Sequence, residues 1–128
     1  GNPEKILNDV EKQIRRRILL QTKTLILTPR YLVELSDDIC AIIPLPEVLW
    51  IYDHAAMRRT IKGRQLSYTI HVVTMKGEEY TLTGKSHREV SAIYHELNTR
   101  YPNFFFGYSK EHQEMVQYVL HEMKNEKA

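Results

Sequence analysis

The stretch IIPLPEVLWIYD, residues 42–53, is the most apolar run in the chain and holds its single tryptophan, Trp50. Pro44 and Pro46 cannot donate to a β-ladder, so a strand starts cleanly only behind them. From there Val48, Leu49, Trp50, Ile51 and Tyr52 are apolar at consecutive positions. A strand of that kind is covered on both faces. The pattern places it at the centre of a strongly curved sheet with helices on one side.

Upstream, Asn2-Pro3-Glu4 predicts a helix start, with Asn as N-cap, Pro in the first turn and an acid at the positive end of the dipole. Ile6, Val10 and Ile14 follow at helical spacing. Arg15, Arg16 and Arg17 close the last turn, where cations are favoured, and they double as a candidate basic patch for anionic headgroups. From Ile18 to Thr83 the signals are β. Residues 24–28 and 31–35 are β-branched and aromatic runs joined by the short Pro29-Arg30 link, Ser36-Asp37-Asp38 reads as a turn, and residues 39–43 form a third strand.

Downstream, residues 54–64 break the pattern. They read as a loop that carries Arg58, Arg59, Lys62 and Arg64, with Met57 and Ile61 among them and no acid. Residues 66–75 then alternate, with Leu66, Tyr68, Ile70 and Val72 on one face and Ser67, Thr69 and His71 on the other, as in a half-buried antiparallel strand. Lys76-Gly77 is a tight turn, and Tyr80 and Leu82 continue the core face beyond it. Ser86-His87-Arg88-Glu89 is a capping box, followed by Val90, Ile93, Tyr94, Leu97 and Tyr101 at helical spacing. Pro102 ends that helix. The run Phe104, Phe105 and Phe106 predicts a short buried strand or docked aromatic segment, and is the alternative partner-binding surface. Ser109 caps a last helix with Met115, Val116, Val119, Leu120 and Met123 as its apolar stripe, and residues 124–128 are expected to fray.

The 128 residues make one domain, 1–128, with an N-terminal helix (1–17), a central core (23–101) and an aromatic segment with a terminal helix (102–128). Strands grouped before helices make the fold class α+β, with about six or seven strands and two C-terminal helices. Lys and Arg outnumber Asp and Glu by only 18 to 16, so clustering of charge matters more than its sum, and the balance argues against nucleic acid as partner. No apolar stretch approaches the roughly 20 residues that span a bilayer. The first residue is Gly1 instead of Met, which reads as a tag remnant, a processed end or a domain cut from a longer chain, the last leaving room for a membrane anchor. Cys40, the single cysteine, sits in an apolar run and reads as a buried structural thiol in a reducing compartment.

No catalytic signature survives inspection. Thr83-Gly84-Lys85-Ser86 imitates the end of a phosphate-binding loop, but the glycine required five positions before Gly84 is Glu79, whose charge would repel phosphate. There is no Gly-x-Ser-x-Gly turn. The six histidines, 54, 71, 87, 95, 112 and 121, include no pair at the three- or four-residue spacing of a helical metal clamp. The expectation is therefore a non-enzyme without metal or cofactor.

In element order the chain resembles pleckstrin-homology-like domains of the bacterial kind. The resemblance rests on residues 27–33 (LTPRYLV), residues 43–50 (IPLPEVLW), the Lys76-Gly77 hairpin and the helix at residues 86–101, and so covers 23–101. It implies a strongly curved antiparallel sheet or partly open barrel, and a binding or scaffolding module without catalytic residues, commonly attached to membrane proteins. The functional expectation is a cytoplasmic interaction module at the membrane face, holding anionic lipid headgroups through Arg58, Arg59, Lys62 and Arg64, helped by Arg15, Arg16 and Arg17. The alternative is a protein partner or a homo-oligomer, contacted through the aromatic segment or a sheet edge.

Overall fold

The computed structural model describes residues 3–36, 38–101 and 103–127, with backbone alone at 38, 39 and 127. The expected N-cap at Asn2, the centre of the turn at Asp37 and the helix stop at Pro102 lie outside the described residues. The chain is α+β: α1 (Pro3–Arg16), β1 (Leu20–Gln21), β2 (Leu25–Leu27), β3 (Tyr31–Ser36), β4 (Asp38–Pro44), a 3-10 turn (Leu45–Glu47), β5 (Val48–Thr60), β6 (Gly63–Thr74), β7 (Glu79–Lys85), α2 (His87–Arg100), β8 (Phe105–Phe106) and α3 (Lys110–Lys127). The helices fall where the spacing put them, and α3 stays helical to Lys127, where fraying from residue 124 was expected.

The strands do not form one strongly curved, barrel-like sheet of six or seven. They form two sheets of four, ordered β1-β2-β3-β4 and β7-β6-β5-β8. The break falls at Pro44 and Pro46. β4 ends with Pro44 opposite Tyr31, the 3-10 turn swings the chain away, and β5 takes β6 as its partner. A proline cannot supply the ladder donor that would carry the first sheet onward.

The first sheet is covered on both faces. Ile26, Tyr31 and Val33 pack on Val10 of α1, with Ile6 and Ile14 beside them. Leu25, Leu27, Leu32 and Ile43 face the main core, which they share with Ile51, Ile70, Val72 and Leu82 of the second sheet and with Val90, Ile93 and Leu97 of α2. The second sheet carries α3 on its other face, through Leu49, Trp50, Val73 and Val116. The apolar run of β5 is thus buried on both sides. A bulge between Val48 and Trp50 makes it work: Val48 pairs with Thr74 and Trp50 with Val73, so Leu49 is an extra residue that joins Trp50 against α3.

Two further bulges set side-chain direction. Glu34 opposes Ala41 and Leu35 opposes Ile39, so Cys40 falls between the two registers on an edge strand, and its side chain is exposed. This corrects the buried thiol expected from its apolar neighbours. In β7, Leu82 opposes Ile70 but Lys85 opposes Tyr68, and Gly84 takes a φ of +67°, where a side chain is strained. The irregularity turns Lys85 inward like Leu82. Lys85 is 2% exposed, and its ammonium meets Glu34 of β3 at 2.7 Å, an ion pair tying one sheet to the other.

Glu89 makes the second tie. The capping box is formed: Ser86 Oγ accepts from the Glu89 amide at 3.2 Å and Glu89 Oε1 accepts from the Ser86 amide at 2.9 Å. Its other oxygen accepts from Thr22 and Thr24, each at 2.6 Å, so α2 is fastened to the first sheet. Burial pushes this carboxyl up, but the hydrogen bonds from Thr22, Thr24 and Ser86 outweigh it and the net shift is below the ordinary value of 4.5.

Removing one partner of a buried ion pair strands the other charge. Lys85→Ala is expected to cost about 3 kcal/mol in urea unfolding, and Lys85→Met with Glu34→Leu to recover most of it; a cost below about 1 kcal/mol for the single change would contradict the role given to this pair. For Glu89, a lowered folded-state pKa means stability that is complete above 4.5 and lost as pH falls through the folded value. The stability advantage of the wild type over Glu89→Gln should be full at neutral pH and shrink in acid, checked by unfolding at both ends.

Candidate functional site

The residues read as a basic loop are not a loop. β5 runs unbroken for 13 residues to Thr60 and β6 for 12 from Gly63, paired residue for residue from Trp50↔Val73 to Thr60↔Gly63. Only Ile61 and Lys62 turn. Gly63 follows at φ +114°, and the Thr60 hydroxyl donates to its carbonyl at 2.8 Å. The ladder bonds are made by the backbone, so charged side chains here do not prevent the strands from pairing.

The flanking strands stop short of the hairpin's end. β8 reaches only Trp50 and Ile51, and β7 ends at Lys85 opposite Tyr68. Among the described residues no third strand joins residues 56–67, a two-stranded ribbon roughly 17 Å from its root to the turn. Directly opposed residues share a face. One face carries Met57 beside Leu66 and then Arg59 beside Arg64; the other carries Arg58 beside Gln65; Lys62 is in the turn. Met57 and Leu66 are exposed, and Ile61 at the tip is fully so. There is no acid between Asp53 and Glu78. Among the described residues no salt bridge engages Arg58, Arg59, Lys62 or Arg64.

The other sequence candidates go elsewhere. Arg15 and Arg16 end α1 and Arg17 follows it, all exposed, on the helix that packs on the first sheet, so they are not part of the ribbon. Phe104 packs on the main core and Phe105 on the α3 cluster, while Phe106 is 44% exposed with its ring edge-on to Tyr94. The segment is held by backbone pairing of β8 with β5 and by the Trp50 indole, which donates to the Gly107 carbonyl at 2.9 Å. Lys85 of the phosphate-loop imitation is committed to Glu34.

At the root of the ribbon, on the face of Arg58, lies a stack that the sequence reading missed. Trp50 packs on Tyr52 with ring centroids 4.4 Å apart, Tyr52 on His71 at 4.6 Å and His71 on His54 at 5.0 Å, with Tyr108 against Trp50 and Tyr52. His71 Nε2 and His54 Nδ1 are 3.1 Å apart. Burial first, then the neighbouring His54, hold the His71 imidazole below its ordinary range, against an opposing pull from Glu79. Burial pushes the Tyr52 phenol up. The period-two placing of Trp50, Tyr52 and His54 is the signal in the sequence, masked by the cations that follow it. Among the described residues there is no group of three or more His, Cys, Asp or Glu placed to hold a metal ion, and no helix long and apolar enough to cross a membrane.

A family model described as a domain of unknown function (DUF6709) matches residues 7–116, which takes in both sheets, the ribbon, α2 and the start of α3. The chain belongs to this family. Comparison with curated proteins and with solved structures gives no match. In this DUF6709 chain the ribbon leaves the apolar side chains of Met57, Ile61 and Leu66 exposed among its cations.

Arg59 and Arg64 stand directly opposite each other, an arrangement that repels. Arg64→Glu is expected to raise the melting temperature at low salt, by up to about 3 °C, and the gain should vanish at high salt. A lowered melting temperature at low salt would show that these arginines support the hairpin.

Proposed function

We propose that the protein is a non-enzymatic interaction module whose basic hairpin docks on an anionic membrane surface. The observation that carries this reading is the make-up of the ribbon's end: four cations, no acid, and the exposed apolar side chains Met57, Ile61 and Leu66 among them. Lipid interfaces reward that mixture. Each Lys or Arg held near an anionic leaflet contributes about 1 kcal/mol, arginine can grip a phosphate with two donors, and apolar side chains settle at the headgroup boundary. A two-stranded ribbon is marginal by itself in water, and a surface laid against it supplies the cover that no third strand provides. The cytoplasmic leaflet, where anionic lipids concentrate, is the surface this chemistry fits.

The competing protein-binding reading has less to work with. Phe104 and Phe105 are spent on core contacts, and of the three phenylalanines only Phe106 is exposed. A ribbon that gripped duplex nucleic acid would gain from a general excess of positive charge, and this chain holds 18 cations against 16 acids.

The test is flotation with vesicles, neutral against phosphatidylserine-containing, at low and physiological salt. The wild type should float with the anionic vesicles and less so as salt rises. Arg58→Glu with Arg59→Glu should weaken this by more than about thirtyfold, at about 1 kcal/mol for each cation lost. Equal binding of the double variant, or no flotation under any condition, would overturn the membrane reading. Arginine-dependent binding to duplex DNA without flotation would replace it with a nucleic-acid interface.

A further inference from the structure

We propose that His54 and His71 form a two-imidazole site for a divalent transition-metal ion, bridging β5 and β6 at the root of the ribbon. The site is independent of the membrane reading.

The two histidines come from different strands and meet by register. His71 opposes Tyr52, and His54, two residues along β5 on the same face, opposes Thr69, so the imidazoles are diagonal neighbours across the ladder. Their facing nitrogens, Nε2 of His71 and Nδ1 of His54, are 3.1 Å apart. Two nitrogens each about 2.0–2.1 Å from one metal, at an angle between square-planar and tetrahedral, are about 2.8–3.4 Å apart. The pair already has the spacing of two neighbouring ligands. Without metal, the contact requires a proton between the nitrogens; an ion seated beside both lone pairs takes that proton's place.

The surroundings suit a cation. His54 is exposed and His71 is half-buried, so an ion can enter from the His54 side and keep water in its remaining positions. His71 is backed by the Tyr52 ring, which fixes its plane, and the carboxylate of Glu79 acts electrostatically on both His71 and Tyr52. By register Glu79 opposes Val73, two residues from His71, on the same face. Imidazole donors select zinc, copper and nickel over magnesium and calcium, and among the first three copper(II) binds most tightly.

The experiment titrates copper(II), nickel(II), zinc(II) and magnesium into the full chain at pH 7.5 and reads Trp50 fluorescence and melting temperature. Trp50 is joined to the site through Tyr52, with successive ring centroids 4.4 and 4.6 Å apart, so bound copper(II) should quench the single tryptophan. One equivalent is expected, in the order copper over nickel and zinc, with no response to magnesium and a rise in melting temperature at saturating zinc. His54→Ala should abolish both responses; because His54 is exposed, this variant keeps the core intact, and His71→Ala should match it. His95→Ala and His121→Ala, exposed on α2 and α3, should leave them unchanged. Undiminished quenching and stabilisation in His54→Ala, or no saturable response in the wild type, would overturn the site.

Discussion

Lys85 is the side chain on which the arrangement of the two sheets turns. It is a lysine with no water around it, and Glu34, on the opposite sheet, supplies the compensating charge. A buried ammonium without such a partner would be strongly destabilising. The inward direction of Lys85 depends on the irregularity at Gly84, and the next residue, Ser86, is the N-cap of α2. One short stretch of chain therefore ends β7, joins the sheets and starts the helix that fills the core between them. Glu89, one turn later, repeats the connection through Thr22 and Thr24.

The same stretch decides where the ribbon begins. β7 supports β6 only as far as Tyr68, because the chain leaves the sheet at Lys85 for α2. β5 and β6 continue without support on either side. Half of their backbone groups bond across the pair and the outward-facing half is left to solvent, and their side chains find no core. Those side chains are cations and a few exposed apolar groups, with two arginines placed directly across from each other. A segment that breaks local rules of stability in this way is where function is expected to lie. The stack of Trp50, Tyr52, His71 and His54 stiffens the root of the ribbon on one face, and Ile51, Val72 and Ile70 anchor the other in the core.

Much of the fold was legible because burial leaves a period. Residues 48–52 are apolar in succession since both faces of β5 are covered, Tyr68, Ile70 and Val72 alternate since they face the core, and the Ser86 box marked its helix to the residue. The cation cluster was legible as composition. Its conformation was not, because a hairpin that is wet on both faces has no apolar period to show. The division into two sheets was hidden because an apolar strand does not name its ladder partner, and the Pro44 and Pro46 turn served one curved sheet as well as two. Cys40 was misread for a related reason: a bulge on an edge strand reverses a side chain without changing the neighbours in sequence. The His54 and His71 contact depends on cross-strand register, which a search for helical spacings passes over.

The most direct measurement of the central claim places a reporter at the tip. Ile61→Trp adds an indole where the side chain is fully exposed, against the fixed signal of buried Trp50. If the hairpin docks on anionic membrane, the added emission shifts to the blue and gains intensity with phosphatidylserine-containing vesicles, and stays unshifted with neutral ones. An emission unchanged by anionic vesicles at low salt would mean that the tip never leaves water, and would contradict the account.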